Sequence, residues 1–249
     1  GYAIAARFAQ GGYDVFISSR HLAHAQEAAD RLSKEYGVFS KGYALAPTNE
    51  QQIKEVFDDI RACGYLLDTF VANAANLGLD MEDTLALNLN DYRQVIETNM
   101  VWNFAMAREA ALQMREKHHG ALVFITSNTA YRAIPNRAAY SASKGGIIAM
   151  SKAFAVDLGP YGIRSNVVLP GTIKTERWVK MGSKQIVNGT LTPIGDISDF
   201  EDIANAAWFL GSDESKNVTG AEIIVDGGMS CQLYPQILTE LKRKVSEME

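Results

Sequence analysis

Two side chains that could exchange a proton with a substrate, Tyr140 and Lys144, lie four residues apart. Residues at this spacing lie on one face of a helix, one turn apart. An ammonium group beside a phenol favours the phenolate, so Lys144 is expected to lower the pKa of Tyr140 from its ordinary value of about 10. A tyrosine adjusted in this way can donate or accept a proton at a carbonyl or alcohol oxygen. The same spacing also fits an ordinary exposed pair on a helix, and the rest of the chain must decide between the two interpretations.

The composition is that of one globular domain. The chain has 249 residues, of which 47% are hydrophobic and 21% charged, and its net charge is -5. That length supports a single α/β domain with a sizeable buried core. The sequence has no run of five basic residues and no apolar stretch near the roughly 18 residues of a spanning helix, so we expect neither nucleic acid nor a membrane as a partner.

The cysteines and histidines predict no metal site. Cys63 and Cys231 are far apart and form no CxxC pair, which favours reduced thiols in a cytoplasmic protein. His118 and His119 lie in a polar stretch typical of a surface turn, and no zinc-type spacing occurs in the sequence.

Strand-like apolar runs alternate with helix-like segments, which predicts an α/β fold with a doubly wound parallel sheet covered on both faces. The predicted strands are 13–19, 38–46, 67–73, 121–127, 163–169 and 221–225, and the predicted helices between them are 21–36, 51–63, 90–117, 140–158 and 200–210. A further amphipathic helix begins at residue 1 with no strand before it. Because such a sheet normally opens with a strand and a glycine-rich turn, we expect an upstream segment to supply both, with Gly1 as the last glycine of the turn.

Two polar residues accompany the tyrosine–lysine pair. Ser127 ends a predicted strand thirteen residues before Tyr140, at the edge of the sheet where ligands of such folds bind. Asn99 lies inside the long predicted helix 90–117, where asparagine is unfavourable because its amide competes for the backbone. Taken alone, Ser127 could be a strand end or a helix cap, and Asn99 an exposed asparagine.

With these residues in this order, the chain resembles the single-domain short-chain dehydrogenase/reductase family over nearly its whole length, which implies a Rossmann-type fold and one dinucleotide-binding and catalytic domain over residues 1–249. The resemblance implies that Tyr140 donates a proton to the carbonyl and that Ser127 hydrogen-bonds the same oxygen. It implies that Lys144 lowers the tyrosine pKa and binds the nicotinamide ribose, and that Asn99 holds a water that relays protons to the lysine.

Two further motifs match the turns by which the family binds its cofactor. The run Val71 to Ala75 matches an Asn-Asn-Ala-Gly turn, although Ala72 and Ala75 replace the first asparagine and the glycine. The run Pro170 to Thr175 matches the turn that holds the nicotinamide carboxamide and the diphosphate. The implied contacts in the N-terminal helix and these turns are Gly1, Asn73, Pro170, Gly171, Thr172, Ile173 and Thr175. The run Val225 to Gly228 matches a structural closing motif.

The end of the predicted strand 13–19, which would be the second strand after the expected upstream one, favours NADP(H) over NAD(H). An acidic residue at this point would bind the ribose hydroxyls of NAD, whereas an arginine accommodates a 2′-phosphate. The chain has Ser19, Arg20 and His21 here and no acidic residue. Arginine suits phosphate because its planar group gives paired, charge-assisted hydrogen bonds, although Arg20 could also be an exposed helix-start residue.

The predicted reaction is the reversible interconversion of a small-molecule carbonyl and a secondary alcohol with NADP(H). The alternatives are a 3-oxoacyl-carrier-protein reductase and, in another class, a non-catalytic nucleotide-binding or scaffold protein. Residues at about 172–195 are expected to form a lid over the substrate, and there Arg177 and Lys180 would suit an anionic or polyhydroxy substrate or be solvated. The substrate remains open among a sugar or polyol, a 3-oxoacyl thioester and a hydrophobic ketone.

The resemblance also implies self-association. Proteins of this fold pair through the two long helices, which begin here near Asn90 and Tyr140, and through the last strand. We therefore expect a homotetramer or a homodimer.

Overall fold

The structure is a computed structural model that describes residues 1–45, 49–78, 83–175, 180, 190–235, 237–239, 243 and 246–247. Residues 46–48, and residues 176–179 and 181–189 of the expected lid, which include Arg177, lie outside the described residues. No helix in these ranges has both the length and the apolar character needed to cross a membrane.

Strands and helices alternate along the described chain, and each predicted element is present within a few residues of its expected ends. All pairings between the named strands are parallel. The strands are β1 Val15–Ser19, β2 Ser40–Ala44, β3 Thr69–Ala72, β4 Gly120–Ile125, β5 Ile163–Pro170 and β6 Glu222–Val225. The helices are α1 Tyr2–Gln10, α2 Leu22–Tyr36, α3 Glu50–Ala62, α4 Leu89–Ile96, α5 Trp102–Glu116, α6 Ala138–Leu158 and α7 Phe200–Gly211.

Helices cover both faces of the sheet, as the apolar strand runs predict. Every residue of β4 is buried. Leu122 and Phe124 pack with α3, α5 and α6, whereas Val123 and Ile125 pack with α1 and α7 on the opposite face. Successive side chains of a strand point to opposite faces, so a strand buried on both sides must be apolar throughout. This arrangement is the expected doubly wound α/β fold.

The strands form two separate sheets, whereas the sequence predicts one continuous sheet. One sheet pairs β1 with β2, and the other has the order β3-β4-β5-β6. A cleft of about 340 Å³ lies between them, lined by Val15–Ser18 of β1 and Thr69–Ala72 of β3, with Phe57 and Met106 among the other lining residues. The cleft therefore lies at the position that the strand expected before Gly1 would take in a doubly wound sheet.

The long helix predicted over residues 90–117 contains a change of helix type. Residues Glu97–Val101, between α4 and α5, form a π-helical turn, and Asn99 lies at its centre. Such single turns inside α-helices are rare and frequently occur at functional sites. Here the turn carries a fully buried asparagine.

Candidate active site

The candidate residues converge on one edge of the fold because the paired strands are parallel. The carboxyl ends of neighbouring parallel strands meet at the same edge, where ligands of open α/β sheets bind. Asn73 follows β3 directly, Ser127 lies two residues after β4, and Pro170 ends β5. The helix α6, which carries Tyr140 and Lys144, packs against β5.

The Ser127 side chain lies close enough to the Tyr140 phenol to favour its deprotonated form and so to lower its pKa. Ser127 is buried, and its hydroxyl oxygen accepts from the Thr129 hydroxyl at 2.9 Å and from the Thr129 backbone N–H at 3.2 Å. With its oxygen occupied by these two donors, the hydroxyl of Ser127 is free to donate its own proton to the phenol oxygen. The same donor would serve a carbonyl oxygen that approached Tyr140.

Lys144 is a buried cation behind the tyrosine, with only 2% of its surface exposed. Its ammonium donates to the carbonyl of Ile125 at 2.8 Å and lies 5.7 Å from the centre of the Tyr140 ring. Burial lowers the pKa of Lys144 to about 8. One of the three N–H groups of Lys144 is thus bonded to Ile125, which leaves the others for a ligand such as a ribose hydroxyl.

The expectation that Lys144 lowers the pKa of Tyr140 was wrong in its net direction. Burial raises the pKa of Tyr140 above its ordinary value, and the nearby Ser127 side chain and the Arg137 charge oppose that rise without cancelling it. The ammonium of Lys144 bonds the Ile125 carbonyl. Desolvation of the phenolate therefore outweighs the favourable contacts.

Asn99 links the helix pair to the loop that follows β3. Its amide group donates to the carbonyl of Asn76 at 2.9 Å and to the hydroxyl of Ser143 at 3.0 Å, and its oxygen accepts from the Asn76 N–H at 2.7 Å. Ser143 in turn donates to the carbonyl of Tyr140 at 2.7 Å. The side-chain amide of Asn103 donates a hydrogen bond to the backbone carbonyl of Asn99 at 2.6 Å. Asn99 is therefore a buried brace between the π-helical turn, the loop and α6.

Gly1 and Asn73 lie next to each other. A Cβ placed on Gly1 would lie 3.1 Å from the side-chain nitrogen of Asn73. Gly1 immediately precedes α1, where the unpaired backbone N–H groups of a helix favour an anion such as a diphosphate.

Ser19, Arg20 and His21 follow one another at the carboxyl end of β1. Arg20 is exposed, and no carboxylate in the described part of the chain forms an ion pair with it. The His21 N–H donates to the Ser19 hydroxyl at 3.4 Å, and the His21 and His24 rings are 5.4 Å apart. Ser19, Arg20 and His21 thus present a cation and polar groups at the end of β1.

The turn after β5 is built around a close backbone approach. The Gly171 N–H donates to the carbonyl of Val225 at 2.9 Å, and a Cβ on Gly171 would lie 2.6 Å from the Cβ of Asp226. Ile173 forms a parallel bridge with Ser198. The cofactor candidates Thr172, Ile173 and Thr175 are all half-buried here.

The sequence did not single out three residues that contact the candidate site residues Asn99, Ser127 and Tyr140 or act on them. Thr129 bonds Ser127, Ser143 bonds both Asn99 and the Tyr140 carbonyl, and the charge of Arg137 reaches the Tyr140 phenol. Arg137 carried a signal, because it lies three residues before Tyr140 and one helical turn places both on one face. Ser143 meets Asn99 only through a tertiary contact, and Thr129 bonds Ser127 across a local turn that no motif in the sequence singled out.

The donor set fits a dinucleotide. Lys144 has N–H groups available, Gly1 lies at a helix start, and Arg20 is an exposed cation without an acidic partner among the described residues. A diphosphate, ribose hydroxyls and a phosphate are the groups that these donors would bind.

Comparisons with known proteins identify related sequences and related folds. A family model described as enoyl-(acyl carrier protein) reductase matches residues 1–230. The 3-oxoacyl-(acyl-carrier-protein) reductase of Rickettsia bellii is 34% identical over 232 residues, which cover 92% of this chain and 91% of that protein. A gluconate 5-dehydrogenase from Burkholderia cenocepacia, solved with NADP and tartrate, is 26% identical with a TM-score of 0.87, covering 94% of this chain and 92% of that one. An NAD+-bound xylitol dehydrogenase is 28% identical with a TM-score of 0.84, covering 92% and 94%.

Proposed function

The chain belongs to the short-chain dehydrogenase/reductase family, as an oxidoreductase that acts on alcohol and carbonyl groups with NAD(P), and we propose that it uses NADP(H) and a Tyr140, Ser127, Lys144 and Asn99 site. The observation that supports this site best is that the buried Ser127 side chain lies beside the Tyr140 phenol, while the Lys144 ammonium lies 5.7 Å from the centre of the Tyr140 ring. A non-catalytic nucleotide-binding protein has no need of this arrangement.

Each residue has a defined task in the proposed mechanism. The nicotinamide ring, when bound, supplies or takes up the hydride. In the reducing direction Tyr140 donates its proton to the carbonyl oxygen of the substrate, and Ser127 donates a hydrogen bond to that same oxygen. Lys144 would hold the nicotinamide ribose through its remaining N–H groups, and its charge would offset the negative charge left on Tyr140. Asn99 holds the loop and α6 in register and contributes to a water relay that returns a proton toward Lys144.

The raised pKa of Tyr140 suits proton donation. A phenol with a pKa above its ordinary value stays protonated across neutral pH, which is the form that reduction requires. Oxidation requires the deprotonated form. We therefore expect the rate of alcohol oxidation to increase as the pH rises. The rate of carbonyl reduction should already be high at neutral pH.

The first experiment compares wild type with Tyr140→Phe in ketone reduction. Removing the phenol oxygen should lower kcat at least 10²-fold, the low end for a general acid. Tyr161→Phe is a matched control, because Tyr161 contacts Arg115 and adjoins α5 and the end of α6. Near-full turnover by Tyr140→Phe would contradict the assignment of the proton donor.

Arg20 supports NADP(H) as the cofactor of this chain, because it is an exposed cation at the end of β1. The two solved relatives hold NADP and NAD+ respectively, so the family alone does not choose between them. Fluorescence titration with NADPH and NADH should show tighter binding of NADPH. Arg20→Gln should weaken NADPH about tenfold or more through the loss of charged hydrogen bonds, and should affect NADH much less. A wild type that prefers NADH would overturn this proposal.

A 3-oxoacyl-carrier-protein reductase is the second candidate, because the Rickettsia bellii relative has that name. The candidate predicts that a 3-oxoacyl group is reduced far better on its carrier protein than on a small thiol. Comparing kcat/KM for the two thioesters tests it, and equal values would exclude recognition of the carrier.

Four further predictions remain proposals. We expect one domain over residues 1–249, and a lid at about 172–195 whose two ends are tied by the Lys174 to Asp196 ion pair at 2.8 Å. We expect a homotetramer or homodimer, since Phe104 on α5, Val156 on α6 and Ile224 on β6 are exposed apolar side chains on the expected contact elements. Native mass spectrometry measures the oligomer. A cytoplasmic location stays a prediction from the two free cysteines.

A further inference from the structure

Arg137 lies at the start of the helix that carries the candidate proton donor. It immediately precedes α6, three residues before Tyr140 and seven before Lys144. Positions separated by three and seven residues share one helix face. Arg137, Tyr140 and Lys144 therefore form one stripe, with the arginine at the outer end.

The guanidinium of Arg137 is held beside the site by a single bond. It is half-buried, and one of its nitrogens donates to the carbonyl of Gly78 in the loop after β3. That loop is itself fixed by the bonds between Asn76 and Asn99. The Arg137 side chain is thus hydrogen-bonded through one nitrogen to a loop that Asn99 holds in place.

Within the part of the chain that the structure describes, most of the hydrogen-bonding capacity of Arg137 remains available. A guanidinium has five N–H donors, and the Gly78 carbonyl takes one of them. No carboxylate within the described ranges forms an ion pair with Arg137. A half-buried arginine with free paired donors matches the planar, bidentate geometry of a carboxylate.

A purely structural role explains this residue poorly. The position before a helix favours serine, threonine, aspartate or asparagine, whose side chains accept from the first backbone N–H groups. Arg137 has no acceptor and makes no such bond. The side chain of Arg137 therefore does not cap α6.

We infer that Arg137 binds the carboxylate of the substrate, so that the preferred substrates are oxo acids and the corresponding hydroxy acids. The inference rests on the proposed function and names the substrate class of the same site. It separates this chain from a reductase of thioesters, whose 3-oxoacyl group carries no free carboxylate. The other candidate cations belong to the lid, where Arg177 lies outside the described residues and Lys180 is exposed.

The test compares each oxo acid with its own methyl ester, which keeps the carbonyl and removes the charge. Wild type should prefer the acid at least tenfold in kcat/KM. Arg137→Gln keeps an N–H donor for Gly78. It should reduce the acid-to-ester preference at least tenfold, mainly by raising the KM for the acid. Arg137→Lys should show a preference between those of wild type and Arg137→Gln. Arg132→Gln is the matched control, because Arg132 also bonds a backbone carbonyl, that of Ser230, and should leave the preference unchanged.

Two outcomes would overturn the inference. One is equal use of acid and ester by wild type, and the other is an equal loss of both substrates in Arg137→Gln, which would indicate a structural role. Calorimetric titration of the free oxo acids into wild type and Arg137→Gln is a separate readout. If wild type reduces no carbonyl, the proposed function fails, but Arg137-dependent binding of the acids would still support the anion site, and its absence would reject it.

Discussion

Lys144 destabilises the folded chain at neutral pH because its charge is buried. Its pKa falls from 10.5 to about 8 through desolvation, a difference that corresponds to about 3 kcal/mol. Below pH 8 both the folded and unfolded states carry the proton, so the full cost is present. Between about 8 and 10.5 the unfolded state binds the proton and the folded state does not, so stability rises with pH. The proposed role of Lys144 thus has a cost in stability.

Replacing this lysine by methionine should therefore stabilise the protein at pH 7. Lys144→Met removes the buried charge but leaves the Ile125 carbonyl without its bond, which costs about 1–3 kcal/mol. We expect the free energy of unfolding to exceed that of wild type by about 1 kcal/mol at pH 7. At pH 9.5 wild type has gained about 2 kcal/mol, so the variant should be less stable than wild type by about 1 kcal/mol. Urea unfolding at the two pH values measures both quantities.

Lys144→Arg is the control for this linkage. Arginine keeps its proton throughout this range, so the variant should lose stability relative to wild type as the pH rises from 7 to 9.5. A stability difference between Lys144→Met and wild type that is the same at both pH values would show that the lysine charge is not costly in the fold.

At the level of single residues, the sequence predicted which side chains meet but not their electrostatics. The spacing of Tyr140 and Lys144 follows from helix geometry alone, and Ser127 joins them because parallel strands end at one edge. The pKa of Tyr140 depends on burial, and burial depends on how the whole chain packs. Arg137 shows the same limit, since its position on the helix was readable but its bond to Gly78 was not.

At the level of elements, two glycines in regular structure should respond to alanine in opposite ways. Gly145 lies inside α6, and a Cβ there would meet nothing within 4 Å. Gly42 lies in β2, and a Cβ there would come within 2.5 Å of the backbone of Ala25 in α2. Gly145→Ala should stabilise by up to about 1 kcal/mol, as alanine favours helix, whereas Gly42→Ala should destabilise by about 1–3 kcal/mol.

Urea unfolding of the two variants beside wild type decides this pair, and each variant is the control for the other. A Gly42→Ala variant as stable as wild type would mean that α2 and β2 separate without loss. Thermal unfolding should rank the three proteins in the same order, with Gly145→Ala highest.

Element order and type were predictable because the apolar periodicities are strong. The ends of helix α2, expected at 21–36 and found at Leu22–Tyr36, agree closely. The π-helical turn Glu97–Val101 was not predictable. Its central asparagine is stabilised by bonds to Asn76 and Ser143, which are distant in sequence and come together only in the folded chain.

At the level of the whole molecule, the cleft between β1 and β3 leaves two strand edges without a partner strand among the residues that the structure describes. Each edge exposes backbone donors and acceptors that a further strand could satisfy. The side chains that line the cleft are largely apolar, including Val15, Phe57 and Phe70. A central strand of a doubly wound sheet has this apolar character on both faces. We therefore expect one extended apolar strand to join β1 and β3 into a single sheet.

A chain extended before Gly1 by about five Val and Ile residues and a glycine-rich turn tests this expectation, since strands are typically about five residues long. The amides of β1 and β3 that face the cleft should become protected from hydrogen exchange, and Tm should rise. The turn should also add backbone N–H groups at the start of α1 and so strengthen dinucleotide binding. The control is an extension of equal length with alternate prolines, which cannot donate to a sheet. Equal protection and equal Tm in the two extended chains would show that the cleft does not accept a strand.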